Sequence, residues 1–124
     1  MLHIDTLLPL YPDDASRHLL LSQALAHTES DLTAIHHALV SDDRDAALQH
    51  VHKAKGTVSF LGGDNYALQQ FDLLTRALRM AKNNHALMAD AKIHLSFISV
   101  ESILQELVIS LRTLIHQLEN KKCP

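Results

Sequence analysis

The chain has 124 residues, 47% of them apolar and 20% charged, enough for one domain with a buried core. A formal charge of −3 offers no basic surface to a phosphate backbone and excludes nucleic acid as a partner class. One cysteine, Cys123, excludes an intrachain disulfide and a thiolate metal cluster, and a reducing compartment is the default.

Met1 is followed by His3 and Asp5, with no basic and then apolar leader, so no signal peptide is read. Leu2 to Leu10 reads as a short helix or turn with Leu7 and Leu8 inward, broken by Pro9 and Pro12. Asp13 or Asp14 then offers an N-cap. The next helix runs to about Val40, with Leu21, Leu25, Leu32, Ile35 and Leu39 on one face and Thr28 as a polar interruption. Ser41-Asp42-Asp43 punctuates, and Asp43 can cap a second long helix. Its apolar residues Ala47, Val51, Ala54, Val58 and Leu61 recur in steps of four and three, a single buried stripe. Gly62-Gly63 ends it, and Asp64 can cap a third helix with the stripe Ala67, Phe71, Leu74, Leu78 and Ala81.

Lys82-Asn83-Asn84 reads as an end or a loop. Beyond it, Ile93, Phe97, Val100, Leu104, Leu107, Leu111, Leu114 and Leu118 keep the same spacing over about seven turns. Ile103, Val108, Ile109 and Ile115 are expected to widen that face. No run reaches the roughly 18 uncharged apolar residues of a membrane span. Leucine, alanine and isoleucine dominate, while three glycines and three prolines leave little for hairpins. The expected fold is all-α: an antiparallel four-helix bundle with a short N-terminal helix, one domain over 1–124.

Ten histidines raise a metal reading, which the spacing does not support. His50 and His52 point to roughly opposite helix sides, His36 and His37 are adjacent, and there is no His-Glu-x-x-His or Glu-x-x-His pattern. His3, His18, His27, His36, His85 and His116 read as solvated or half-buried surface. There is no Gly-x-Ser-x-Gly elbow, and Cys123 on a tail has no plausible base. Gly62-Gly63 is too short for a nucleotide phosphate loop.

One segment does carry chemistry: His52-Lys53-Ala54-Lys55-Gly56-Thr57-Val58-Ser59-Phe60-Leu61-Gly62. His52 lies just off the buried stripe, toward water. Lys55 and Gly56 are its neighbours three and four residues on, and Ser59 is one turn further. A mid-helix glycine costs about 1 kcal/mol relative to alanine. Close approach of a partner over bare backbone is the natural compensation.

These residues resemble the histidine-containing phosphotransfer (HPt) domain of multistep phosphorelays. That family's motif is roughly His-x-Leu-Lys-Gly, then small residues, then Leu-Gly-Ala. Here it stands as His52-Lys53-Ala54-Lys55-Gly56, Thr57 to Phe60, and Leu61-Gly62-Gly63. The rhythm of Asp31-Leu32 to Ala38-Leu39 and the Asp42-Asp43 break also match, so the likeness covers about His18 to Met80. Three positions depart from the pattern: Ala54 replaces leucine, Gly63 replaces alanine, and Leu25 stands where phenylalanine is frequent.

The resemblance implies that His52 accepts a phosphoryl group from a phospho-aspartate on the receiver domain of a hybrid sensor kinase. The group then passes to an aspartate on a response regulator. Neutral imidazole is a competent nucleophile, and its reference pKa near 6.5 leaves it mostly neutral in a cytoplasm. Lys55 would approach the phosphoryl oxygens as a point charge, Gly56 would leave room for receiver loops, and Ser59 would add a hydrogen bond. The chain would hold no cofactor and no metal, Mg²⁺ belonging to the receiver. It would be a carrier and not an enzyme, monomeric as an isolated domain, without direct membrane contact. It would be cytoplasmic, free or tethered to the inner membrane through a parent kinase whose C-terminal module it forms. The competing readings are a helical interaction or dimerisation module without phosphotransfer, and a helical metal or cofactor carrier.

Overall fold

The computed structural model describes residues 4, 7–82 and 85–121. Four helices account for most of them: α1 (Asp14–Val40), α2 (Arg44–Phe60), α3 (Asn65–Met80) and α4 (Ala91–Lys121). Single 3-10 turns stand beside them at Leu8–Leu10 and Leu87–Ala89, Ile4 is also 3-10, and there is no strand among the described residues. The helices pack in a cycle, α1 on α2, α2 on α3, α3 on α4 and α4 on α1.

Short polar side chains set the helix starts. Asp13 accepts from Ser16 N at 2.7 Å, Asp43 from Ala46 N at 3.1 Å and Asp64 from Ala67 N at 3.0 Å. Each satisfies a donor that the first helical turn leaves without an intrahelical partner, worth about 1 kcal/mol. Asp90 does the same for α4, accepting from Lys92 N and Ile93 N. α2 closes with paired reverse bonds, Gly63 N to Val58 O at 2.8 Å and Gly62 N to Ser59 O at 3.1 Å, around Gly62 at φ 85°. α1 closes identically, with Asp43 N on Ala38 O and Asp42 N on Leu39 O. There the left-handed residue is Asp42, φ 57°, one of the few side chains that tolerate that region.

Asp42 also ties together two helix connections at one end of the domain. Its Oδ1 accepts from Leu87 N at 2.9 Å, which draws the α3–α4 connection onto the α1–α2 turn. Arg44 works beside it, donating to Ala81 O at 2.6 Å just past the end of α3. Leu87 fills the space so enclosed and is fully buried.

The core is the expected set of stripes. Leu21, Ile35 and Leu39 of α1, Val51 and Val58 of α2, Phe71, Leu74 and Leu78 of α3, and Leu104, Leu107 and Leu111 of α4 are all inaccessible to solvent. Each large one contributes about 1.5–3 kcal/mol of transfer free energy. Leu25, Leu32, Leu114, Ile103 and Ile115 lie at the margins of this core.

The expectations for Ile109 and Pro9 are corrected. Ile109 is 64% exposed and widens nothing. Two residues from both Leu107 and Leu111, it stands about 200° around α4 from each. Thr28, the polar interruption of the α1 stripe, is buried with its hydroxyl satisfied by Ala24 O at 2.7 Å. Pro9 does not break the N-terminal turn but sits inside it, at a position whose missing N–H has no partner to lose. Of the short helix or turn expected from Leu2 to Leu10, Leu8–Leu10 is a 3-10 turn, with Leu7 and Leu8 half-buried and Leu10 outside, and Ile4 is 3-10 and buried; residues 2, 3, 5 and 6 lie outside the described residues. Finally, α4 is by length and composition apolar enough to cross a membrane, although no uncharged run of that length exists. Its apolar stripe is here covered by α1 and α3.

Candidate functional site

The site is the outer face of α2. Ala47, Val51, Ala54 and Val58 bury the inner face completely, which fixes the rotation of the helix. His52, Gly56 and Ser59 consequently stand outside, all exposed. Phe60 continues this face one turn beyond Gly56, 53% exposed in spite of its size.

The two histidines of α2 have separate environments. His50 is half-buried, its Nδ1 3.4 Å from Oδ1 of Asp31, an α1 carboxylate that is itself buried. His52, two residues on, faces water. The sequence shows their divergence by helical angle; it does not show that Asp31 awaits the first of them.

Lys55 is half-buried and committed. Its Nζ donates to Oδ1 of Asp72 on α3 at 2.7 Å. Sequence reasoning named Lys55 and missed Asp72, which follows Phe71 in the α3 stripe as an ordinary surface acid. Both groups retain substantial exposure, so the pair is worth less than about 1 kcal/mol and exchanges readily for a stronger anion.

Gly56 has open space above it: a Cβ built there meets no heavy atom within 4 Å. The glycine is therefore not required by packing within the chain. Gly63 is the opposite case. A Cβ there would run into the Val58 Cγ1 methyl and stand 2.9 Å from Val58 O, so an alanine does not fit this turn. Ala54, the other departure in the segment, is buried on the inner face of α2.

The remaining histidines lie elsewhere. His36 stacks on Phe97 with ring centroids 5.9 Å apart, His18 Nε2 is 3.2 Å from Glu119 Oε1, and His116 Nε2 is 3.0 Å from Asn120 Nδ2. No group of three histidine, cysteine or acidic side chains is placed to share a metal ion among the described residues.

No protein-family model matches this chain, and neither does any curated protein or solved structure.

Proposed function

We propose that this chain is a phosphorelay carrier built as an antiparallel four-helix bundle, with His52 as its phosphoacceptor. The short connections at 41–43 and 61–64 suit helices that reverse direction at each turn. The observation that carries the reading is the conjunction on one face of α2: an exposed imidazole, a cation one turn on, and a glycine with nothing above it.

In the proposed step an imidazole nitrogen of His52 attacks the phosphorus of a receiver phospho-aspartate. An N–P bond forms, the acyl P–O bond breaks, and the aspartate leaves as carboxylate. The reverse sense delivers the group to a response-regulator aspartate. Such transfer asks for positioning and charge neutralisation more than for covalent machinery. Lys55 supplies the charge by exchanging Asp72 for phosphoryl oxygens, Ser59 offers a hydroxyl, and Mg²⁺ resides on the receiver. The receiver approaches over Gly56, with Phe60 as the apolar edge of the contact. On this reading the domain acts in the cytoplasm, alone or within a sensor kinase.

The test is incubation with a receiver domain carrying labelled phospho-aspartate. Acid-labile, alkali-stable label on the parent chain, lost in His52→Gln, is the expected result. Label that persists in His52→Gln, or no label from any receiver of the same genome, overturns the reading.

A further inference from the structure

Away from α2, three large apolar side chains converge in the open. Leu73 and Met80 on α3 and Leu95 on α4 are 46%, 68% and 65% exposed, and all three line one groove between those helices. The groove encloses about 870 Å³, with Ala77 contributing to its apolar surface. Apolar surface gathered in this way marks an interaction site more often than scattered exposed residues do.

Its charge is one-sided. Arg76, Lys82 and Lys92 line the same groove, and none of them makes an ion pair among the described residues. Some cations elsewhere are engaged, Lys55 on Asp72, Arg112 on Glu29 and Arg17 on the Tyr11 carbonyl, whereas Lys53 and Arg79 stand apart from the groove without an ion pair among the described residues. The acid lining the groove, Asp90, has its Oδ1 occupied by the first N–H groups of α4. A positive rim around an apolar floor is thus maintained in a chain whose net charge is −3.

We propose that this groove docks an acidic amphipathic segment of a protein partner. Its apolar side chains enter between α3 and α4, and its carboxylates meet Arg76, Lys82 and Lys92. Charge complementarity selects the partner's sign, and the concave floor selects a protruding segment over a flat anionic bilayer. None of His52, Lys55, Gly56 or Ser59 lines the groove, so the inference stands apart from phosphotransfer.

The probe is a synthetic helical peptide with a leucine stripe flanked by glutamates, titrated into the isotopically labelled chain and followed by amide chemical shifts. Shifts confined to the surroundings of Leu73, Met80 and Leu95 are expected. A Lys82→Glu/Lys92→Glu variant should bind about tenfold more weakly or not at all, since two attractions become repulsions. Met80→Gln/Leu95→Gln should also weaken binding, and both double variants change exposed positions, so melting curves should match the parent. A peptide with lysines in place of the glutamates should not bind. His52→Gln should bind the acidic peptide as the parent does. Equal affinity of the parent and the Lys82→Glu/Lys92→Glu variant overturns the proposal. So does binding to phosphatidylglycerol vesicles without binding to the peptide.

Discussion

Lys55 Nζ and Asp72 Oδ1 are 2.7 Å apart, so the cation one turn from His52 is shared between α2 and α3. Its worth to the fold is small at that exposure. Lys55→Ala should therefore move Tm by no more than about 4 °C. If the lysine neutralises phosphoryl charge, the same variant should accept label about tenfold more slowly, a barrier change of about 1.4 kcal/mol. Asp72→Asn should act in the opposite sense, releasing the ammonium and giving acceptance at least as fast as the parent. Stopped-flow or quench-flow transfer from a charged receiver separates the two. An unchanged rate in Lys55→Ala would reduce the lysine to a solvated surface charge.

His50 and His52 should respond oppositely to the same substitution. His52→Gln removes an exposed ring and should melt with the parent while taking no label. His50→Gln keeps the acceptor, so it should label normally, but it disturbs the polar contact to buried Asp31. A buried acceptor left poorly satisfied costs about 1–3 kcal/mol. A denaturant melt together with a labelling assay on both variants checks the pair of outcomes. Label lost in His50→Gln and kept in His52→Gln would exchange the roles of the two residues.

Asp42 makes the end of the domain sensitive to acid. The Leu87 N–H, then the Ala86 N–H, favour its carboxylate and hold its pKa below the usual 3.8. A carboxyl with a lowered folded pKa contributes stability that is complete above its unfolded value and is lost as pH falls through the folded one. Asp13, lowered by the Ser16 backbone N–H and then by its hydroxyl, adds in the same direction. Melting temperature should thus fall as pH drops below the usual carboxylate range. In Asp42→Asn, which keeps a residue tolerant of φ 57°, that fall should be shallower. An identical pH profile for the two chains would mean that the Leu87 bond is not maintained in solution.

Much of the fold was legible because helical periodicity is a strong local signal. The stripe from Ala47 to Val58 fixed which way His52 faces, and the aspartates at 13, 43 and 64 marked three helix starts. What escaped were contacts made by tertiary placement. Leu87 lies in a short run with no period to betray it, yet it plugs the end of the core. Asp72 and Asp31 read as surface acids until α3 and α1 come alongside α2. Ile109 is apolar, yet its angular position on α4, two residues from both Leu107 and Leu111, turns it to water.

The two glycines flanking the C-terminal half of α2 should separate function from packing. Gly63 lies in the closing turn, where an added methyl would meet Val58 Cγ1 and the Val58 carbonyl. Gly63→Ala must push backbone aside and should destabilise, by about 1–3 kcal/mol. Gly56 is mid-helix with open space above it, so Gly56→Ala should raise stability by about 0.5–1 kcal/mol. Gly56→Leu should also fold at least as well as the parent, because leucine is the better helix former and its side chain projects into solvent. Transfer should run the other way. A leucine at this position stands beside His52 on the face a receiver must approach, and close-packed interface centres tolerate such bulk poorly. Gly56→Leu should therefore melt no lower than the parent while accepting phosphoryl groups at least about tenfold more slowly. Thermal melting and receiver-to-carrier transfer, measured on the same preparations, provide the comparison. If Gly56→Leu melts lower and transfers normally, Gly56 serves the packing of α2 and the receiver docks elsewhere.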